Sequence, residues 1–286
     1  MRKSTQNAVP GTLYLVSTPI GNMEDITLRA LRVLKEVSLV AAEDTRVARK
    51  LFSALGIKTP LESCFESNEG AKAHKFLERL LEGCDIALIS DAGTPGVSDP
   101  GFRLTERCLE ASVPVRAVPG PSSVITALSV SGFSMDSFSF SGFAPRTSAK
   151  RKRFYLSLRG SAASSAVVFE TARRLKASLA DALEILGDVP VAVARELTKI
   201  HEEVLRGSIS EVLAMMEDRV MLGEVALVFR TVSSPLSGAE AAVMIEELLA
   251  AGLPLKEVVK AAVGESGLKR TDVYKEALAV KQRLGL

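Results

Sequence analysis

The first 130 residues alternate short, branched apolar runs with segments of helical period, and each run stops at a loop of proline, glycine, serine or aspartate. Residues 12–18 (TLYLVST) end at Pro19 and Gly21, residues 37–42 at Glu43-Asp44-Thr45-Arg46, residues 85–90 (DIALIS) at an Asp/Gly/Pro loop, and residues 114–118 at Pro119-Gly120-Pro121. Between them, helical spacing predicts helices over 28–35 with Asp25 or Thr27 as cap, 46–55 closed by Gly56, 71–81, 101–111 and 122–130. Strands that are apolar without alternation are buried on both faces, and strand–helix units of this length close as a mainly parallel sheet. The expectation is an α/β domain over residues 1–132.

Residues 133–149 are rich in Ser, Gly and Phe and read as a linker. Strand candidates at 166–170, 189–195 and 224–230, with helices at 174–186 and 209–216, predict a second α/β domain over 150–233. Helical patterns at 238–250, 255–264 and 269–284, separated by 252–254 and 265–267, predict a C-terminal helical module over 234–286 that resembles a helix-turn-helix.

With 286 residues, the chain is long enough for about two domains with real cores. Lys plus Arg number 36 against 34 Asp plus Glu, so contact with nucleic acid must be local rather than a property of the whole surface. Tryptophan is absent and aromatics are 5%, which argues against an extended base-stacking platform. Cys64, Cys84 and Cys108 are odd in number and lack C-x-x-C spacing, so neither a disulfide framework nor a metal site is expected. The basic start at Arg2 and Lys3 is followed by no long apolar segment, and the uncharged stretch 117–135 is broken by Pro, Gly and Ser. A cytoplasmic protein without a membrane span is the expectation.

Phosphate-loop, dinucleotide-fingerprint, zincin and nucleophile-elbow motifs are absent, and with only His74 and His201 histidine chemistry has little support. What remains is three strand-end loops, at 17–22, 90–101 and 119–123, built from small residues and prolines. In an open parallel sheet ligands sit outside the carboxyl ends of the strands. These loops hold no lysine and so suit an adenosine-bearing ligand better than a bare polyphosphate. The plainer reading is that each loop merely joins strand to helix, with Asp99 or Ser98 capping the helix after Pro100.

Thr18-Pro19-Ile20-Gly21-Asn22, Glu43-Asp44-Thr45-Arg46, Asp91-Ala92-Gly93-Thr94-Pro95, Ser98-Asp99-Pro100-Gly101 and Pro119-Gly120-Pro121-Ser122 together resemble the ribosomal RNA small subunit methyltransferase I family. The likeness continues through Gly142-Phe143-Ala144-Pro145-Arg146, Phe169-Glu170, 195–199 and Gly223-Glu224, nearly the whole chain. It implies a two-domain tetrapyrrole-methylase fold, commonly homodimeric. It also implies S-adenosylmethionine as cofactor and transfer of its methyl group to the ribose 2′-OH of a decoding-centre cytidine in 16S rRNA. By the same resemblance Pro19, Gly21, Asp91, Ala92, Gly93, Val97, Ser98, Ser122 and Ser123 hold the cofactor from the first domain, and Phe169, Glu170, Ala194 and Arg195 close it from the second.

Methyl transfer from a sulfonium centre needs mainly alignment, with help in removing the hydroxyl proton. Glu43, Asp44, Glu170 and Glu196 are the candidate bases, and Arg46 and Arg195 the candidate cations; ion pairing between domains is the competing role for each. Arg146 and the run Lys150-Arg151-Lys152-Arg153 are candidates for salt-sensitive RNA contact, against a solvated helix start. Competing functions are a methylase of the same fold acting on a small molecule or a protein side chain, and a non-catalytic RNA-binding assembly factor.

Overall fold

A computed structural model describes residues 9–65, 69–159, 163–231, 238–250, 254–266 and 268–284; Arg2 and Lys3 lie outside them. Strands β1 (Leu13–Val16), β2 (Leu39–Ala42), β3 (Leu61–Ser63), β4 (Ile86–Ile89) and β5 (Val115–Val118) form a parallel sheet in the order β3-β2-β4-β1-β5. Side chains of a strand alternate between its faces. Val40, Ala42, Ala87 and Ile89 therefore pack on helices α1 (Leu28–Glu36) and α2 (Thr45–Leu55), whereas Leu39, Ala41, Ile86 and Leu88 pack on α3 (Glu69–Leu81) and α4 (Phe102–Glu110). Helix α1 starts on Thr27, whose hydroxyl accepts the Ala30 N–H at 3.0 Å, and α2 ends at Gly56 in the left-handed region. Two details differ from expectation. Strand β3 was not foreseen, because three half-buried residues carry too little apolar signal. Neither Ser98 nor Asp99 caps α4; its N-cap is Gly101, at φ 135°, with no side-chain cap bond.

The second sheet is mixed. Strands β6 (Phe138–Phe143), β7 (Ser165–Thr171), β8 (Pro190–Arg195), β9 (Glu203–Ser208) and β10 (Glu224–Arg230) run in the order β6-β7-β10-β8-β9, parallel only between β6 and β7. Residues 138–143, inside the stretch read as a linker, are thus an edge strand. Their alternation of Phe with Ser and Gly is a strand pattern that the composition disguised. Strand β9 also differs from expectation, since an edge strand can carry the ion-paired Glu203 and the exposed Arg206, which break the apolar pattern. Helices α6 (Ser148–Arg159), α7 (Leu175–Leu186) and α8 (Ile209–Met215) cover one face, packing on Val168, Val193, Val225, Leu227 and Phe229. The opposite face presents Val167, Ala192, Ala194, Ala226 and Val228 to helix α5 (Ser123–Ser131), the last helix of the first unit.

Helices α9 (Gly238–Ala250), α10 (Leu255–Ser266) and α11 (Arg270–Arg283) pack on one another through Ile245, Leu249, Val258, Ala262, Val273, Ala277 and Val280. No described helix is long and apolar enough to cross a membrane.

A buried ion pair fixes α6 to α7. Arg151 is 4% exposed; its Nε donates to Asp181 Oδ2 at 2.8 Å, and its Nη1 donates to the carbonyls of Arg146 (3.2 Å) and Pro145 (3.4 Å). Removing one member of such a pair leaves an uncompensated buried charge. Arg151→Ala should therefore cost about 3–5 kcal/mol in urea unfolding, while Lys150→Ala, at the exposed neighbour, should stay within about 0.5 kcal/mol of wild type.

Candidate active site

The three loops at the carboxyl edge of the first sheet are hydrogen-bonded into one rim. Thr18 and Gly93 exchange backbone bonds of 2.9 and 3.1 Å, joining the loops after β1 and β4. Thr94 Oγ1 lies 3.0 Å from Ser17 Oγ and donates to the Pro121 carbonyl at 3.2 Å, which adds the loop after β5. The bridge at Gly93 requires φ 79°, a conformation that favours glycine. Above this rim, α5 and the second sheet enclose a cavity of about 320 Å³, within the size range of small-molecule sites.

Of the cofactor candidates, Ala92, Gly93, Val97, Ser98, Ser122 and Ser123 border this cavity from the first unit, and Phe169, Glu170 and Ala194 from the second. Pro19, Gly21, Asp91 and Arg195 do not border it; Ile20 occupies the wall between Pro19 and Gly21. Strand alternation separates neighbours here. Glu170 and Arg195 both pair with Val225, whose side chain joins the core under α6 and α7; Arg195 lies outside the cavity lining, while Glu170 and Val225 border it at the ends of their strands. Phe169 and Ala194, one residue earlier, pair with Ala226 on the cavity side. Glu170, 1% exposed, borders the cavity; its Oε1 accepts from the Thr171 N–H and from Arg174, each at 2.6 Å, while its buried Oε2 has no hydrogen-bond partner among the described residues. Arg195 donates to Glu203 Oε2 (3.2 Å) and to the Leu222 carbonyl (3.2 Å). Arg195 is thus committed to Glu203 and the Leu222 carbonyl, outside the cavity lining, whereas Glu170 stands at it.

The 195–199 segment is a clasp between the units. Glu196 and Thr198 hold φ of 50° and 66°, strained values for residues with a Cβ. Glu196 Oε1 accepts from Lys199 Nζ and from the Glu224 N–H, both at 2.9 Å, and the Lys199 bond holds its carboxyl below the usual range. Glu196 thus serves this ion pair rather than the cavity. A Cβ at Gly21 would lie 2.5 Å from Lys199 Cγ and 3.0 Å from the Leu197 carbonyl, so the first loop and the clasp touch backbone to chain. That close approach is the requirement Gly21 meets.

Of the RNA candidates, Arg151 is committed to Asp181 and Lys152 Nζ donates to Glu184 at 2.6 Å. Arg146, Lys150 and Arg153 are exposed. The expectation of a continuous four-cation run fails because residue 151 falls on the buried face of α6, with Tyr155 and Leu158. Among the described residues no cluster of His, Cys, Asp or Glu is arranged to hold a metal ion.

The carboxylates of the first sheet gather beside the rim. Asp44 caps α2 by accepting the Arg46 N–H at 2.7 Å and pairs with the Arg46 guanidinium at 2.6 Å, which holds it down at about 2. Glu43 Oε2 accepts the Asp91 N–H (3.3 Å), and Asp91 Oδ1 accepts the Asp44 N–H (2.9 Å). Burial first, then neighbouring negative charge, raises both Glu43 and Asp91. Asp99 borders the cavity and is pushed up to about 6, by burial and then by the Glu43 charge. Phe143, Leu197 and Ala226 also border it. Of these, Ala226 could have been found by applying strand alternation to β10.

A carboxyl whose folded pKa is raised favours the native state when protonated and opposes it when charged. Stability from Asp99 is complete below about pH 4 and lost as pH rises through about 6. Asp99→Asn should melt higher than wild type at pH 7, with the gap closing toward pH 4; parallel melting curves across that window would contradict this placement.

A family model of tetrapyrrole (corrin/porphyrin) methylases matches residues 12–213. A ribosomal RNA small subunit methyltransferase I of Micromonospora olivasterospora is 41% identical over 99% of this chain and 91% of its own. A protein of the same name from Thermotoga maritima is 45% identical over 76% of this chain and 97% of its own. Among solved structures, uroporphyrin-III C-methyltransferase from Thermus thermophilus superposes with a TM-score of 0.54 at 25% identity, covering 77% of this chain and 94% of that one. The fold, the matched span and these identities show that the chain belongs to the tetrapyrrole methylase family, within the group named ribosomal RNA small subunit methyltransferase I.

Proposed function

We propose that the cavity binds S-adenosylmethionine and that the protein methylates the ribose 2′-OH of a decoding-centre cytidine in 16S rRNA. The reading places it in the cytoplasm, as a homodimer, acting on the small ribosomal subunit. The carrying observation is the cavity itself, small-residue loops facing an alanine-lined sheet, in a chain whose relatives are named for rRNA methylation. The residues present fit the cofactor. Ser122 is the N-cap of α5 yet makes no side-chain cap bond, so the first-turn N–H groups and the helix dipole suit a carboxylate. Val97, Phe169 and Leu197 supply apolar walls for a purine, and Gly93 leaves the backbone accessible. When bound, the sulfonium group supplies a methyl already activated for displacement.

This chain's own contribution is alignment, water exclusion and proton acceptance. Ile20 and Leu197, each 7% exposed, close the cavity where the two units meet. Asp99 is ionised at neutral pH with an affinity for protons above that of an ordinary carboxylate, which suits it to receive the hydroxyl proton on a carboxylate oxygen. Arg46 holds Asp44 through Nε and Nη2, and its side chain, 83% exposed, still presents Nη1 to a phosphate.

The direct test incubates the protein with methyl-labelled cofactor and small subunits from a strain lacking the enzyme. Label should enter 16S rRNA at one cytidine and render the adjoining phosphodiester resistant to alkali. Cofactor binding without any transfer to subunits would refute the RNA assignment. Ala226→Leu, which adds volume on the cavity side of β10, should weaken cofactor binding at least tenfold in calorimetry while the protein stays folded. Replacing Arg146, Lys150 and Arg153 together by Ala should lower RNA affinity and reduce its logarithmic salt slope by about 2, the loss of three phosphate contacts on a single strand.

A further inference from the structure

The most unusual side chain at the cavity is Phe143. It borders the cavity and is 55% exposed, in a chain where aromatics are scarce. Its position is not what regular alternation would give. In an unbroken strand Phe143 would face away from Phe140, three residues earlier. The register between β6 and β7 shifts between them: Phe140 pairs with Val167 and Phe143 with Phe169, so β6 spends one extra residue. That bulge, with Gly142 at φ 68°, turns Phe143 back onto the face of Phe140. Both rings then meet Phe169 edge to face, at centroid distances of 4.8 Å for Phe140 and 5.3 Å for Phe143. The ring packs on Phe169 yet leaves more than half of itself in water at the cavity, and bulges re-aim side chains next to active sites.

The chain that follows Phe143 is cationic and firmly held. Ala144 N–H donates to the Phe169 carbonyl at 2.9 Å, and buried Arg151 grips the carbonyls of Pro145 and Arg146. Arg146 therefore leaves a fixed turn, and Lys150 and Arg153, three residues apart, share an exposed face of α6. An aromatic face at the cavity mouth continues into three exposed cations within ten residues of chain. Single-stranded nucleic acid is recognised by this combination, a base on an aromatic ring and a backbone along positive charge.

We propose that Phe143 stacks on the base of the nucleotide being methylated, held out of its own stack, while Arg146, Lys150 and Arg153 carry the flanking phosphates. The inference rests on the RNA reading above and adds the partner's form, a single-stranded segment with one everted base. One ring serves one nucleotide, consistent with a chain too poor in aromatics for a platform. Stacking on this scale predicts that Phe143→Ala raises KM for small subunits roughly 5- to 150-fold, with the dissociation constant for the cofactor unchanged within twofold.

The chain contains no tryptophan, so Phe143→Trp creates a single reporter at the site. This variant should keep near-wild-type KM for subunits, and its emission should be quenched by unmethylated small subunits in the presence of S-adenosylhomocysteine, but not by S-adenosylhomocysteine alone. The proposal is overturned if wild type methylates subunits while Phe143→Ala leaves KM unchanged, or if the Phe143→Trp emission is indifferent to RNA. It is equally overturned if Phe143→Ala weakens the cofactor tenfold and leaves RNA unaffected, which would make Phe143 part of the cofactor wall. Wild type that transfers nothing to subunits instead refutes the RNA reading on which the proposal stands.

Discussion

The structure depends on how helix α5 meets the second sheet. The helix grows from the first sheet, yet Val124, Ala127 and Leu128 are buried against Val167, Ala192, Ala194, Ala226 and Val228. Alanines on this face of β8 and β10 contrast with Val191, Val193, Val225 and Leu227 on the other. The larger residues fill the core under α6, α7 and α8. The smaller ones bring the helix close and leave space beyond its N-terminus. A packed interior does not ordinarily tolerate such space; here it coincides with a free helix start and with loops stitched by the Thr18–Gly93 bridge.

Around that space the chain accepts local costs. Ser98, Glu196 and Thr198 occupy left-handed backbone conformations, and Glu43, Asp91 and Asp99 are held where burial and mutual repulsion oppose their charge. Each feature borders or adjoins the junction of the two units. The well-packed cores on the faces of both sheets offset them. Three of the four non-glycine residues with positive φ among the described residues lie at this junction, the fourth being Ser112 in the turn after α4, a clustering expected when a site dictates local conformation.

Much of this was legible in the sequence. Uninterrupted apolar runs at β2 and β4 announced a sheet covered on both faces, and the loops after β1, β4 and β5 marked its ligand edge. Gly56 marked the end of α2 through a positive φ that glycine adopts readily. The misses have physical causes. Strands β3, β6 and β9 lie at sheet edges, where half-burial dilutes the apolar pattern. Arg195 sat in the right motif but one step out of phase with the cavity. A motif does not reveal which face of a strand points inward; the register against Val225 does. Arg151 illustrates the same limit on a helix, since a run of charges conceals the residue whose angle carries it into the core. Asp99 and Phe143 become notable only through a cavity and a bulge, both products of long-range pairing.

The claim from which the rest follows is that the space between the first-sheet rim and the alanine face is where the methyl donor sits. A crystal structure of the protein with S-adenosylhomocysteine tests it most directly. The account predicts ligand density bounded by Gly93, Ser122, Phe169 and Ala226, with the sulfur open toward Asp99. Density for the ligand anywhere else, or side chains rearranged to fill the space, would contradict it.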